Sequence, residues 1–322
     1  MRRMACAAAA LVMLAAAPAA AQPAPRGEAA AAAPAAAREP TAAEKAQIDA
    51  EVKRLKELLD SLRPQRGDIA IREAEVTLKL TEAYYFLNAE DAKKLLVQGW
   101  GNPPEAVEGV LGMVFPAGST PLDDNVWGAV VTWTGDGYVS DHDAKEIKPD
   151  ELLKQLREGE EAENRARREA GYGETHLAGW AQPPAYDATR HALIWAKNIK
   201  FTGEDVNTLN YDVRLLGRKG VLSLNMVASM NDLPAVREAS EKLQAVAQFN
   251  PGARYADYKE GDHRAAYGVA GLLASGLGLA AAKKVGLLAG LFLFLKKGLG
   301  IIIAGGAAVG AWLLRMFRGR QE

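Results

Sequence analysis

The stretch LNYDVRLLGRKGVLSLNMVAS, residues 209–229, decides the fold class. Two runs rich in apolar residues, 208–217 and 221–229, flank the turn Arg218-Lys219-Gly220, and this pattern predicts an antiparallel hairpin. Further strands are predicted near 69–71, 76–80, 110–115, 126–133, 175–180 and 191–201, and helices near 88–98, 148–170 and 234–248. Strands punctuated by helices predict one α+β domain over 64–263, with antiparallel sheet(s) and packed helices.

The N-terminal end has the pattern of an export signal. Arg2 and Arg3 precede an apolar run, and small residues at 19–21 form a cleavage site before Gln22. This order predicts a secretory signal peptide over 1–21, whose removal also removes Cys6 and leaves a mature chain without cysteine. The Ala/Pro-rich segment 22–40 is predicted to be a disordered linker, because it has almost no large apolar residues to bury.

A helix is predicted over 41–63. Thr41 and Glu44 have the spacing of a capping box, and apolar residues recur from Ile48 to Leu62 at three- and four-residue steps. The stripe is short for a coiled coil, so packing on the helix's own domain is favoured over pairing with a second helix in a homo-oligomer.

The C-terminal segment 264–322 is predicted to be a membrane anchor. Two charge-free runs, 265–282 and 298–314, are each near the shortest length that spans a bilayer. Either both span, or only the second does, so the side of the C-terminus stays open. Gly306 and Gly310 form a GxxxG spacing that permits close helix contact, and hence a homo-oligomer.

Charge divides the chain in the same way. Residues 41–264 contain 28 Lys and Arg against 37 Asp and Glu, whereas 265–322 contain seven basic residues and one acidic residue. An acidic body lacks the clustered basic face that nucleic acid needs. The basic tail suits lipid headgroups, so the sequence predicts a domain in the periplasm that is anchored to the bacterial inner membrane.

Several blocks of the body resemble a known family. They are GWGNPPE (99–105), VLGMVFPAG (110–118), GDGYVSDHDA (135–144), AGYGETHLAGWAQPPAYDATRHALIWAKNIKF (170–201), LNYDVRLLGRKGVLSLN (209–225) and FNPGARYADY (249–258). In order and content they resemble uncharacterised bacterial membrane-anchored proteins, classed as domain of unknown function 2167. The resemblance implies export and anchoring but no activity. A weaker similarity, at the level of fold, is to sandwich domains of the PsbP kind.

The densest group of candidate catalytic residues is TGDGYVSDHDA, residues 134–144. Its carboxylates Asp136, Asp141 and Asp143 do not have calcium-loop spacing, since the sixth and twelfth positions from Asp136 are Asp141 and Ile147. Structural roles are favoured: a turn at 135–137, a helix cap by Asp141 and a first-turn carboxylate at Asp143. The alternative is general acid–base chemistry by these aspartates.

A second candidate site is aromatic. Trp180, Tyr186 and Trp195, with Asp187 as a polar partner, could form a shelf for a glycan or a peptide, although core packing of the tryptophans is favoured. The four histidines are scattered and no nucleophile or phosphate-loop motif occurs in the body, so neither a metal nor a cofactor is predicted. The leading hypothesis is a non-enzymatic binding module of the cell envelope. The alternative is an envelope hydrolase or lyase that uses the carboxylates near 136–143.

Overall fold

The computed structural model describes residues 41–123, 125–169 and 171–277. The helices in these ranges are α1 (Ala42–Ser61), α2 (Ala89–Lys94), α3 (Pro149–Glu169), α4 (Leu233–Val246) and α5 (Val269–Gly276). The strands are β1 (Asp68–Ile71), β2 (Val76–Lys79), β3 (Tyr84–Asn88), β4 (Val110–Pro116), β5 (Gly128–Thr134), β6 (Tyr138–Ser140), β7 (Thr175–Asp187), β8 (Ala192–Phe201), β9 (Thr208–Leu216), β10 (Val221–Ser229), β11 (Ala247–Phe249) and β12 (Arg264–Gly268).

The strands form three sheets. The largest has seven antiparallel strands in the order β3-β4-β5-β10-β9-β8-β7. The predicted hairpin is confirmed, with β9 and β10 paired from Leu216 and Val221 to Thr208 and Ser229. A three-stranded antiparallel sheet has the order β1-β2-β11, and β6 pairs with β12 in parallel. The predicted class, antiparallel sheets with packed helices, is therefore confirmed for the described residues.

One face of the large sheet is a continuous apolar core. On β9 the side chains of Leu209, Tyr211, Val213 and Leu215 point to this face, as strand alternation requires. The three-stranded sheet and α4 cover this face, and α4 contributes Val236, which is fully buried.

The opposite face has two apolar clusters with polar residues between them. Along β10, Val221 belongs to a cluster with α5, and Val227 belongs to a cluster with α1 and α2. Between them lie the buried side chains of Ser223 and Asn225, and Asn225 exchanges two 3.1 Å side-chain hydrogen bonds with Asn210. The clusters thus hold separate groups of helices.

The helix predicted over 41–63 is confirmed as α1. Thr41 and Glu44 form both hydrogen bonds of the capping box. Leu55, Leu58 and Leu62 are buried in the cluster that contains α2, so the apolar stripe packs on its own domain.

The segment predicted as the start of the anchor forms part of the domain where it is described. Arg264–Gly268 is strand β12, and α5 follows with Val269, Leu272 and Leu273 at most 1% exposed. The described part of the apolar run 265–282 is therefore a strand and a short helix, because its apolar residues complete a core beside Trp195. In the ranges that the structure describes, no helix has the length and apolar character of a membrane span.

The remaining predictions on the termini lie outside the described residues. They are the signal 1–21, the linker 22–40, the apolar run 298–314 and the Gly306/Gly310 spacing.

Candidate functional site

The stretch 134–144 lies where the C-terminal end of the domain meets the large sheet. Gly137 has φ +95°, and a Cβ there would lie 2.4 Å from His263 Nδ1, so only glycine fits this turn. The turn predicted at 135–137 is present, but it does not close a hairpin on β5. It leads instead into β6, which pairs with β12.

Each of the three candidate aspartates accepts a hydrogen bond from another part of the chain. Asp136 accepts from the Tyr267 hydroxyl. Asp141 Oδ2 accepts from the Tyr186 hydroxyl at 2.9 Å, and Asp143 Oδ2 accepts from the Ala270 backbone N–H at 3.2 Å. The carboxylates therefore join 134–144 to the C-terminal segment and to β7.

The prediction of a local cap by Asp141, with Asp143 in the first helical turn, is wrong, because Asp143 itself is at the N-cap position. The 3₁₀ turn Ala144–Glu146 has no side-chain cap from Asp143. Asp143 caps the first turn of α5, and Asp141 binds Tyr186. Both carboxylates accept hydrogen bonds from residues that are distant in sequence. Local spacing does not reveal such contacts.

Next to Asp141 is an aromatic array that we call the tyrosine stack, consisting of Tyr258, Tyr138, Tyr255 and His191. Successive ring centroids are 4.1, 4.5 and 4.2 Å apart. Tyr255 is buried and donates from its hydroxyl to the Val139 carbonyl at 3.1 Å, while the other three side chains are half-buried. The stack joins β6, the segment before β12 and the turn before β8.

Polar groups flank the tyrosine stack. The Tyr186 hydroxyl lies 3.3 Å from His191 Nδ1 as well as 2.9 Å from Asp141. The Arg264 guanidinium lies 5.9 Å from the centre of the Tyr258 ring. His191 itself has φ +49°, a left-handed conformation that is uncommon for histidine and places its ring on Tyr255.

The hydroxyls of Tyr186 and Tyr267 are protonated at neutral pH. Burial raises the pKa of Tyr186 well above its ordinary value, and the hydrogen bond to Asp141 raises it further. Burial, followed by the bond to Asp136, does the same to the pKa of Tyr267. These hydroxyls therefore act as hydrogen-bond donors to carboxylates, since a deprotonated phenol would face a negative neighbour.

The three aromatic residues of the predicted shelf all belong to or pack against the apolar cluster that contains α5. Trp195 is fully buried in the core with α5, and Trp180 is half-buried, with its Nε1 donating to the Pro149 carbonyl at 3.1 Å. Asp187 accepts from the backbone N–H groups of Thr189 and Arg190, and pairs with the Arg190 guanidinium at 2.9 Å. Of the four candidates, Tyr186 has a polar contact with the tyrosine stack, through His191.

Within 41–123, 125–169 and 171–277, no group of three or more His, Cys, Asp or Glu side chains is placed to hold an ion. His176 and His191, which neighbouring strands might have brought together, lie apart: His176 contacts Glu160, and His191 is in the tyrosine stack.

A family model matches residues 63–307, more than half of the chain, under the description "Protein of unknown function (DUF2167)". The chain belongs to this family. No curated protein matches the sequence. Among solved structures, the solution structure of cyanobacterial PsbP (CyanoP) from Synechocystis sp. PCC 6803 aligns at 7% identity with a TM-score of 0.33, covering 59% of this chain and 93% of that one.

The sequence did not predict most of the tyrosine stack. The tyrosine stack consists of three tyrosines that were not candidate residues, Tyr138, Tyr255 and Tyr258, and of His191, which was considered only as a metal ligand. All four lie in blocks by which the family was recognised, 135–144, 170–201 and 249–258. The family blocks were therefore the part of the sequence that indicated these residues. The contacts between the blocks became visible only in the folded structure.

Proposed function

We propose that this chain is a non-enzymatic binding module of the bacterial cell envelope. In this proposal the tyrosine stack, with Tyr186 beside it, binds an envelope polymer through its glycan or its peptide part. The observation that carries the proposal is that half-buried aromatic rings and polar groups from four segments converge there. Aromatic rings with polar tips suit ligands that have both apolar and polar faces.

The roles of the aspartates support binding over hydrolysis. Asp136, Asp141 and Asp143 each have an oxygen engaged by a tyrosine or a backbone N–H group. A general base must be able to reach the proton that it removes. The alternative, a hydrolase or lyase acting through these carboxylates, requires that the second oxygen of one of them reach the substrate.

The localisation is part of the proposal. The export pattern at 1–21 and the basic, apolar segment after residue 277 are expected to place the domain in the periplasm, on the inner membrane, with the tail in contact with lipid. A reporter fused after Glu322 tests the topology, and membrane fractionation tests the anchoring. A full-length chain that fractionates without the membrane would contradict the anchor.

Binding is tested with purified cell-wall sacculi. We expect full-length protein to co-sediment with sacculi, and Tyr258→Ala to weaken binding at least tenfold at unchanged melting temperature. His142→Ala is the matched control, because His142 is exposed and is not part of the tyrosine stack. Equal sedimentation of both variants would exclude the stack as the binding surface.

The same sacculi separate binding from hydrolysis. If wild-type protein releases soluble fragments from them and Asp141→Asn does not, the enzymatic alternative replaces the binding proposal. If sacculi are neither bound nor degraded, crosslinking from the full-length chain in cells would identify a protein partner instead.

A further inference from the structure

The strand β7 is one edge of the seven-stranded sheet, and its outer backbone groups are covered in an unusual way. An edge strand has a row of N–H and C=O groups that can pair with another strand. In β7 the outward groups of Thr175, Leu177 and Ala178 are bound by side chains of α3.

Asn164 of α3 takes the place of a neighbouring strand. Its Nδ2 donates to the Thr175 carbonyl at 2.8 Å, and its Oδ1 accepts from the Thr175 N–H at 2.9 Å. A side-chain amide has the same donor and acceptor as a peptide unit, so Asn164 reproduces both hydrogen bonds of a strand residue. It is also the one buried residue of the 21 in α3.

Two more side chains extend the same pattern along the edge. Glu160 Oε2 accepts from the Leu177 N–H at 3.0 Å, and Arg157 donates to the Ala178 carbonyl at 2.8 Å. Positions 157, 160 and 164 are three and four residues apart, which places them on one face of the helix. Thr175 and Leu177 alternate along β7, so their backbone groups point to the same side.

The C-terminal half of α3 is held mainly by polar contacts. The apolar side chains that α3 packs into the nearby core, Leu152 and Leu156, lie in its N-terminal half. Further along, burial raises the pKa of Glu163, while Lys197 opposite attracts its charged form. The free-energy cost of burying the Glu163 charge offsets much of the attraction between Glu163 and Lys197. Releasing this half of the helix recovers that cost, because the carboxylate returns to water.

The loop after α3 is joined to the helix by polar contacts. Gly171 has φ +78°, and Gly173 follows two residues later, before β7 begins. Arg167 Nε donates to the Gly173 carbonyl at 2.7 Å, and the Tyr172 N–H donates to the Arg167 carbonyl at 2.8 Å, so release requires that these bonds break or that the loop move with the helix.

We propose that the C-terminal half of α3 is a removable strand mimic, and that the β7 edge at Thr175–Leu177 binds an extended acidic peptide by strand addition. Main-chain hydrogen bonds provide the binding in this mode. The acidic preference follows from the groups that α3 now neutralises, since Glu160 contacts His176 and Glu163 faces Lys197.

The site is short for a structural reason. Beyond Leu177 the pairing of β7 with β8 shifts register three times, and the segment includes Pro183-Pro184. Proline has no N–H to donate, and bulges turn the edge away, so this part of β7 does not accept a strand. The proposal is independent of the tyrosine stack, which lies at the opposite end of β8.

The test uses full-length protein and a capped, fluorescent hexapeptide that alternates glutamate and valine. We expect Asn164→Ala to bind this peptide at least tenfold more tightly than wild type, since the mimic is removed. A peptide that alternates lysine and valine controls for charge. Arg165→Ala controls for substitution on α3, because Arg165 is the exposed neighbour of Asn164.

Hydrogen exchange gives a second measurement on the same proteins. We expect the amides of Thr175 and Leu177 to exchange faster in Asn164→Ala and to regain protection with the glutamate peptide. If Asn164→Ala does not fold, Asn164→Asp retains an acceptor for Thr175 and loses the donor. Unchanged exchange, equal binding of both peptides, or binding equal to that of Arg165→Ala would overturn the proposal.

Discussion

The carboxylate of Asp143 occupies the space that a side chain at Gly268 would need. A Cβ at 268 would lie 2.4 Å from both carboxylate oxygens, while Oδ2 accepts the Ala270 N–H at 3.2 Å. Gly268 has an extended backbone, so the glycine is required by space and not by conformation. A loop carboxylate 127 residues away thus supplies the N-terminal cap of α5.

Removing this cap should destabilise the domain without affecting any chemistry. We expect Asp143→Ala to lower the free energy of unfolding by about 1 kcal/mol, as loss of a helix cap does. Asp143→Asn should retain most of the stability, because asparagine also caps helices. Denaturant unfolding measures both variants, and Asp205→Ala, at an exposed carboxylate, is the control. A loss of function in Asp143→Asn at full stability would contradict the capping role.

Gly268→Ala tests the contact from the other side. Gly268→Ala should lower the free energy of unfolding more than Asp143→Ala does, because the new methyl group displaces the carboxylate and the cap is lost with it. The double variant should then be more stable than the sum of the two single effects predicts, because the clash partner is gone. Additive effects would show that the two residues are not coupled.

The domain should require the residues after 263. A chain that ends at His263 lacks Val269, Leu272 and Leu273, which are at most 1% exposed. Burying each such side chain contributes about 1.5–3 kcal/mol, and the total approaches the whole stability of a typical domain. We expect a chain that ends at Leu277 to unfold cooperatively on heating and one that ends at His263 not to. Equal melting temperatures would contradict the assignment of α5 to the core.

The ion pair between Arg218 and Asp262 should make the stability depend on acid pH. The Arg218 guanidinium binds both carboxylate oxygens at 2.7 Å and lowers the pKa of Asp262 from 3.8 to about 2. Because the unfolded chain takes up the proton first, the stabilisation is present above about pH 4 and is lost as the pH falls to about 2. Asp262→Asn should be less stable than wild type at pH 6, and the difference should vanish near pH 2. A difference that stays constant with pH would exclude this linkage.

Trp195 should behave as a core residue and not as a ligand contact. Its side chain is fully buried, its Nε1 has no hydrogen-bond partner, and the Arg214 guanidinium lies 5.2 Å from the ring centre. Trp195→Phe removes an unpaired buried donor, so it should cost less than the about 3–5 kcal/mol of a Trp→Ala change. Thermal unfolding measures the loss, and sacculus binding should not change. If Trp195→Phe lost sacculus binding at wild-type stability, Trp195 would be a ligand contact after all.

Local sequence patterns predicted the elements well. The capping box at Thr41 and the hairpin through Arg218-Lys219-Gly220 were correct, because both depend on residues close together in the chain. The prediction left open whether the run 265–282 spans a membrane, and its described part, 265–277, is a strand and a short helix. Its absence of charge is equally typical of a membrane span and of a segment buried in a core, and only the contacts with Trp195 distinguish the two.

The candidate site could be predicted only in part. Structural roles were favoured for the aspartates of 134–144, but their partners Tyr186, Tyr267 and Ala270 lie 45 to 131 residues away. Local spacing carries no information about contacts over such distances. The cover of β7 was hidden for the same reason, since α3 has the composition of a solvated helix and its one buried residue is polar.

The parallel pairing of β6 with β12 has a consequence for biosynthesis. The apolar cluster around Trp195 takes residues from the middle of the chain and from α5, its last described element. A growing chain therefore carries an unfinished core until residue 277 has left the ribosome and can reach its partners. Long-range closure of this kind is slow and leaves apolar surface open in the meantime. The nascent chain should thus depend on a holding chaperone until β12 and α5 have been made.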